Sequence, residues 1–225
     1  MNPKDRAAQA AVELLENNAV VGLGTGSTAD YFLIALSRAL SSGQLRGIRG
    51  IPTSKRSEQR AIELGIPLTS LRDRPDVTVD GADEIAPNLD LIKGLGGALL
   101  REKIVAQNSD RLIIIADASK KVSILGEKSP LPVEVAVFGY ETQEKFLRSL
   151  GCEPALRKNP DGSPVLSDNS NYIYDCRFKG IDDPHALDRA LKSRAGIIES
   201  GLFLGIAELA LIGTDTNVQH LTRPA

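Results

Sequence analysis

Short runs of unbroken apolar residues recur along the chain, each joined directly to a helical pattern, and this alternation limits the fold more than any single motif does. "AVVGLG" runs into "STADYFLIALSRAL", "IRGIPTS" into "KRSEQRAIELG", and "GGALLREKIVAQNS" into "RLIIIAD". A strand covered on both faces reads as a continuous hydrophobic run, and strands alternating with helices imply a parallel sheet with helices on both sides. "DVTVDGADE" adds a further strand. Ahead of the first strand, roughly Lys4 to Asn17 places Ala8, Ala11, Val12 and Leu15 on one helical face. The spacing therefore predicts an α/β, Rossmann-like parallel-sheet domain, with Ser27 or Thr28 as the N-cap of the helix after the first strand.

The pattern changes after "GEKSPLPVEV", where prolines mark a crossing. From there the elements run strand, helix, strand, strand, helix, strand, the order of the ferredoxin-like split unit, with Asp183 and Pro184 opening its second helix. The closing "AELALIGT" returns to the fully apolar style of the first half. We expect a Rossmann-like domain from 1–128 plus 205–225 and a smaller α+β domain over 129–204. The excursion "NPDGSPVLSDNSN" reads as a hairpin connection.

At 225 residues the chain can bury a substantial core. Its formal net charge of -2 lacks the basic footprint of a nucleic-acid binder. The mixed charges of "MNPKDRAAQAAVELLENN" argue against a signal peptide, and no apolar run is long enough to span a bilayer. The expectation is a cytoplasmic protein with a small-molecule partner, no nucleic acid and no membrane. Cys152 and Cys176 lack metal-binding spacing with His185 or His220 and read as buried free thiols.

"VVGLGTGSTADYF" is a strand ending in small residues that turns into a helix, and such a turn aims backbone N–H groups and a helix dipole at one anion. Gly24, Gly26 and Ala29 fit a relaxed dinucleotide fingerprint. The second strand, however, ends in Thr53, Ser54, Lys55 and Arg56 rather than the acid that holds a ribose, leaving only an NADP-type 2′-phosphate as a dinucleotide option. No lysine followed by Ser or Thr closes the run, so the nucleoside-triphosphate loop fails. A compact terminal phosphate satisfies the loop without those partners.

A second constellation lies at the end of "VTVDGADEI", where Asp80, Asp83 and Glu84 emerge at the carboxyl edge of a parallel strand, the edge at which open α/β folds bind ligands. The local alternative is a turn in which Asp80 and Asp83 cap nearby N–H groups. "LIKGLGGALLREK" then brings Lys93 into another glycine-rich loop and Glu102 onto the next helix, where the bland reading is a solvated residue beside Arg101 and Lys103. A carboxylate base, a lysine and aspartates form the minimum set for removing a proton beside a carbonyl.

Together, "VGLGTGSTADYF", "IPTSKRSEQRAIELGIPL", "VDGADEIAPNLDLIKGLGGALLREKIVA", "ADASKKV" and "PLPVEV" resemble the motifs of the ribose-5-phosphate isomerase A family over essentially the whole chain, with "TSKRSEQ" closer to its plant and cyanobacterial branch. The resemblance implies aldose–ketose isomerisation of D-ribose 5-phosphate and D-ribulose 5-phosphate through an enediolate, without metal or redox cofactor, in a homodimer or homotetramer. It places the phosphate-and-sugar loop on Thr25, Gly26, Ser27 and Thr28, and the acidic substrate-binding turn on Asp80, Gly81, Ala82 and Asp83. The lysine loop falls on Lys93, Gly94, Leu95 and Gly96, where Leu95 replaces a glycine of some members and would act through its backbone. Glu102 matches the proton-transfer base, and Lys120 and Lys4 match substrate-contacting lysines. Two rivals are an NADP-dependent reductase built on Gly24 and a sugar-phosphate sensor, the latter requiring a DNA-binding segment that this slightly acidic chain does not offer.

Overall fold

The computed structural model describes residues 2–223. The chain opens with α1 (Pro3–Val12), β1 (Val20–Leu23), α2 (Ser27–Ser42), β2 (Arg49–Pro52), α3 (Lys55–Glu63) and β3 (Val77–Asp80). Next come the two-residue strands β4 (Glu84–Ile85) and β5 (Leu91–Ile92), then α4 (Leu99–Asn108), β6 (Arg111–Asp117) and a 3-10 turn over Ala118–Lys120. The rest is β7 (Leu131–Val135), α5 (Glu141–Ser149), β8 (Glu153–Leu156), β9 (Tyr172–Arg177), α6 (Pro184–Lys192), β10 (Ile197–Ser200), β11 (Leu202–Phe203), β12 (Leu209–Gly213) and β13 (Val218–Thr222).

Two compact units divide the chain. The first comprises residues up to Ala82, Arg101–Lys120 and the segment from Gly205 onward. Its sheet has the order β13-β12-β6-β3-β1-β2, parallel except for the antiparallel edge pair β12 and β13. The expected return strand is β12, parallel to β6, whereas β13 was not anticipated. Unbroken burial of β1, β3 and most of β6 follows from helices on both faces, as the apolar runs required. Phe32, Leu33 and Leu36 of α2 pack with Ala7, Ala8 and Ala11 of α1 and with Val21, Val79 and Ile113 of the sheet. Strand order reverses between β1 and β3, so the carboxyl ends of those two strands flank the topological switch point, where folds of this kind bind ligands.

The second unit comprises Asp83–Leu100 and Lys121–Leu204. Sequence boundaries of 1–128 and 129–204 put 83–100 with the first unit, but β4 and β5 pair with β11 in a small antiparallel sheet that groups that segment with the second. The main sheet of this unit, β10-β7-β9-β8, is antiparallel, and with α5 and α6 it gives the ferredoxin-like order. Leu147 of α5 and Leu187 and Leu191 of α6 pack on Val133, Val135, Tyr174 and Cys176. Cys152 and Cys176 are buried free thiols. "GIIESGLF", the run that supplies the last strand of the split unit, breaks at Gly201 into β10 and β11. A Cβ at Gly201 would lie 2.2 Å from the Lys93 carbonyl oxygen, so only glycine lets the chain pass there. The 159–171 excursion turns back through Val165 N–H to the Arg157 carbonyl at 2.9 Å, and buried Glu134 accepts from Ser167 at 2.7 Å and Asn171 at 2.9 Å to hold its far end.

Candidate active site

In the first unit the glycines serve close approach before they serve any ligand. A Cβ on Gly24 would lie 2.3 Å from the Asp80 Oδ1 and 2.6 Å from the Asp80 Cα. Its absence lets the end of β1 lie against the end of β3. Thr25 N–H then donates to Asp80 Oδ1 at 3.0 Å, across the switch point. The Thr25 hydroxyl lies 2.8 Å from both the Thr53 and the Ser54 hydroxyls, and Thr53 in turn donates to the Leu23 carbonyl at 2.9 Å. The "TS" after β2, considered above as a receiver for a 2′-phosphate, is thus turned inward to hold the glycine loop. Arg56 beside it is ion-paired with Asp30 at 2.6 Å. Of the residues considered for a 2′-phosphate, Thr53, Ser54 and Arg56 are thus engaged within the protein.

The N-cap of α2 is Gly26 rather than Ser27 or Thr28, with φ 116° and ψ 179° and no side-chain cap. That backbone region is open essentially to glycine alone. It leaves the start of a 16-residue helix uncapped by any side chain, the arrangement that suits an incoming anion. Ser27 lies exposed at this end, where Lys4 Nζ donates to its hydroxyl at 2.9 Å, while Thr28 is buried. Lys4 and Lys120 both act on Asp117 at the end of β6. Partial burial pushes the Asp117 carboxyl up, but two hydrogen bonds from Ser119 and the charges of Lys4 and Lys120 outweigh it and hold the carboxyl below its ordinary range. Asp117 was not singled out from the sequence. Its position at the carboxyl end of an apolar strand, directly before "ASK", was the available signal.

Asp80 is 1 % exposed and Glu102, in the first turn of α4, is 4 % exposed. The solvated-helix reading of Glu102 therefore fails, since it and its neighbour Lys103 are both buried. A carboxylate in the first helical turn is favoured by the helix dipole. Gly81 and Ala82 are half-buried and continue the turn, with Gly81 N–H donating to Asp80 Oδ1 at 2.7 Å.

The second unit holds the remaining residues of the set. Lys93 is 2 % exposed, its N–H donates to the Gly201 carbonyl at 2.9 Å and its Nζ stands 5.3 Å from the centroid of the Phe203 ring. Gly94, with φ 105°, opens a turn closed by Gly97 N–H on the Gly94 carbonyl at 2.9 Å, with Leu95 and Gly96 exposed at its tip. Asp83 Oδ2 accepts the Leu95 N–H at 2.9 Å. The local alternative for "DGAD" is thus partly realised, because each aspartate spends an oxygen on loop N–H groups, Asp80 on Thr25 and Gly81 and Asp83 on Leu95. Glu84, the third acid of the motif, is fully buried and accepts the N–H groups of Gly126 at 2.6 Å and Lys128 at 2.7 Å, a structural duty within its own unit. Among the described residues, no three His, Cys, Asp or Glu side chains cluster so as to hold a metal ion.

A family model described as ribose 5-phosphate isomerase A (phosphoriboisomerase A) matches residues 49–217. The chain is 48 % identical over 221 residues to the ribose-5-phosphate isomerase A of Roseiflexus castenholzii, covering 97 % of this chain and 94 % of that one. It is 45 % identical to a probable chloroplastic ribose-5-phosphate isomerase of Arabidopsis thaliana, covering 98 % of this chain and 83 % of the relative. Among solved structures, ribose 5-phosphate isomerase from Plasmodium falciparum is similar with a TM-score of 0.94 at 40 % identity, covering 99 % of both chains. A D-ribose-5-phosphate isomerase in complex with phospho-erythronic acid gives a TM-score of 0.96 at 40 % identity, covering 99 % of this chain and 100 % of that one.

Proposed function

The chain belongs to the ribose-5-phosphate isomerase A family, and from that premise we propose that Glu102 is the base that carries a proton between C2 and C1 of the sugar. The protein is an aldose–ketose isomerase that interconverts D-ribose 5-phosphate and D-ribulose 5-phosphate in the non-oxidative pentose phosphate pathway. In the aldose-to-ketose direction the carboxylate takes the C2 proton, the C–H pair forms the C1–C2 double bond, and the carbonyl pair moves onto O1. Glu102 returns the proton to C1 while the O2 hydroxyl proton passes to O1. No electrons leave the substrate, so the chemistry asks only for a placed base and for charge stabilisation on oxygen.

Lys93 supplies that positive charge, and Asp80 and Asp83 arrange the sugar hydroxyls, with Gly81, Ala82, Gly94, Leu95 and Gly96 contributing backbone. The phosphate takes the uncapped start of α2, formed by Thr25, Gly26, Ser27 and Thr28, together with Lys4 and Lys120. The observation that carries this reading is burial: Asp80, Lys93 and Glu102 are 1 %, 2 % and 4 % exposed. Charged side chains are rarely hidden without a task or a partner, and a water-excluded carboxylate can return the proton it took instead of losing it to solvent. The chain works in the cytoplasm as a homodimer or homotetramer in this reading. Exposed Val137 and Phe138 of the second unit, the latter 95 % exposed, support self-association, and light scattering tests it.

Turnover of ribose 5-phosphate by the purified protein, compared with Glu102→Gln, tests the base. The expected loss in kcat is at least about 100-fold with the melting temperature unchanged. Equal activity in both would remove Glu102 from the mechanism. Phospho-erythronic acid, whose carboxylate spreads charge over two oxygens as the enediolate does, is expected to inhibit competitively and still to bind the Gln variant.

A further inference from the structure

The lysine loop is gripped by a residue that no motif marks. Arg157 follows β8, its backbone tied on both sides: its N–H donates to the Ile173 carbonyl at 2.8 Å and its carbonyl accepts from Val165 of the excursion at 2.9 Å. Its side chain is only 15 % exposed and meets Asp175 of β9 in a two-pronged ion pair, Nε to Oδ2 at 2.9 Å and Nη2 to Oδ1 at 2.5 Å. A guanidinium held at two of its nitrogens keeps no rotational freedom at the third. That third nitrogen, Nη1, donates to the Leu95 carbonyl at 3.1 Å and the Gly94 carbonyl at 3.3 Å. With Asp83 on its N–H, Leu95 is held by both of its backbone polar groups, while its side chain stays exposed.

We propose that Arg157, locked by Asp175, is a positioning residue for the isomerisation: it fixes the 94–95 peptides and thereby the placement of Lys93, without touching substrate. The ferredoxin-like sheet then has a task in turnover, and the 159–171 excursion, by pairing with the Arg157 backbone, braces the arginine. The inference rests on the assignment of Lys93 as the group that steadies the developing charge. A misplacement of about 1 Å in such a group costs up to about 100-fold in rate.

The experiment measures kcat, KM and melting temperature for Arg157→Gln, Arg157→Lys, Lys93→Gln and the double variant Lys93→Gln/Arg157→Gln. Arg157→Gln is expected to lower kcat by about 10- to 100-fold with KM changed less than about 3-fold. Arg157→Lys recovers only part, because an ammonium cannot hold Asp175 at two points and two carbonyls together. In the Lys93→Gln background the arginine substitution adds less than about 3-fold, since its effect passes through that lysine. A packing defect alone would instead lower the melting temperature and multiply with the Lys93 loss. Unchanged kcat in Arg157→Gln beside a crippled Lys93→Gln overturns the positioning role and leaves the Lys93 assignment standing. Wild-type turnover by Lys93→Gln removes that assignment and the inference with it. Should Arg157→Gln fail to fold, Arg157→Lys carries the same cycle, and an unchanged kcat there overturns the proposal.

Discussion

The two glycine-rich loops, 24–28 in the first unit and 93–97 in the second, share one device and differ in the other. Each leaves a short strand, precedes a helix and gives a backbone N–H to one aspartate of "DGAD", Thr25 to Asp80 and Leu95 to Asp83. Beyond that, the first is held by neutral hydroxyls, those of Thr53 and Ser54 around Thr25. The second is held by an arginine locked in an ion pair with Asp175, and Lys93 stands over the Phe203 ring. In the proposed reading the difference follows from cargo. A loop that must offer N–H groups to a dianion gains from uncharged supports that neither compete for the ligand nor repel it. A loop that must deliver one cation to a fixed point gains from stiff, directional charge pairs.

The sharpest way to break this division of labour is to add one methyl group behind each loop. Gly24→Ala would press a Cβ to 2.3 Å from Asp80 Oδ1 and 2.6 Å from its Cα, and Gly201→Ala would press one to 2.2 Å from the Lys93 carbonyl oxygen. Neither clash is relieved by rotating a side chain, because backbone atoms lie in the way. Each change is expected to destabilise by about 1–3 kcal/mol and to lower kcat/KM by about 100-fold or more. The signatures should differ: Gly24→Ala raises KM together with its loss in kcat, whereas Gly201→Ala acts on kcat with KM nearly unchanged. Identical signatures in steady-state kinetics would dissolve the distinction between an anion loop and a cation loop.

How much of this was legible beforehand depends on sequence distance. The parallel order, the ferredoxin-like unit and the acidic turn could be read because each rests on a local period or a local turn. The N-cap of α2 was misplaced because the usual rule favours a hydroxyl, whereas Gly26 at φ 116° leaves the helix start without a side-chain cap. β4, β5 and β11 are two residues each, too short to show alternation. Arg157 lies 63 residues from Gly94, and Gly201 meets the Lys93 carbonyl across more than a hundred residues of chain. Nothing local in "EPALRKN" or "IIESGLF" records those partners. The candidate residues that sit in one motif could be read together, whereas Arg157 and Gly201, which meet a distant backbone, could not.

A milder test addresses the hydroxyl support alone. Thr53 is fully buried, and its hydroxyl joins the Leu23 carbonyl to Thr25. Thr53→Val keeps the shape and removes the hydrogen bonds, at an expected cost of about 1–2 kcal/mol. We expect KM for ribose 5-phosphate to rise a few-fold with kcat held. A fall in kcat as large as that of Arg157→Gln, with KM unchanged, would show that the hydroxyls position the reacting carbons rather than the phosphate.

The smallest expected effect is silent at neutral pH and separates the units by alkali. Tyr174 sits in β9, next to Asp175 and Ile173, and its hydroxyl donates to the Tyr140 carbonyl at 3.3 Å. Burial, with the negative charges of Glu144 and Glu141 nearby, pushes its phenol up from 10.0 to about 12. The unfolded chain therefore releases this proton before the folded protein does. Below pH 10 both states hold it and the group is neutral in the balance. Between pH 10 and about 12 the unfolded state alone is deprotonated, and stability falls by about 1 kcal/mol by pH 11. Tyr174→Phe should flatten that part of the stability curve in denaturant titrations at pH 8 to 11. In the folded protein Tyr174 keeps its proton across this window, so wild-type kcat and KM should both hold while stability falls, even though β9 carries Asp175 and the Ile173 carbonyl that anchors Arg157. A fall in kcat over pH 10 to 11 that the Phe variant abolished would instead show that β9 loosens around Arg157 before the protein unfolds, and the charge-held loop would then be the weaker of the two.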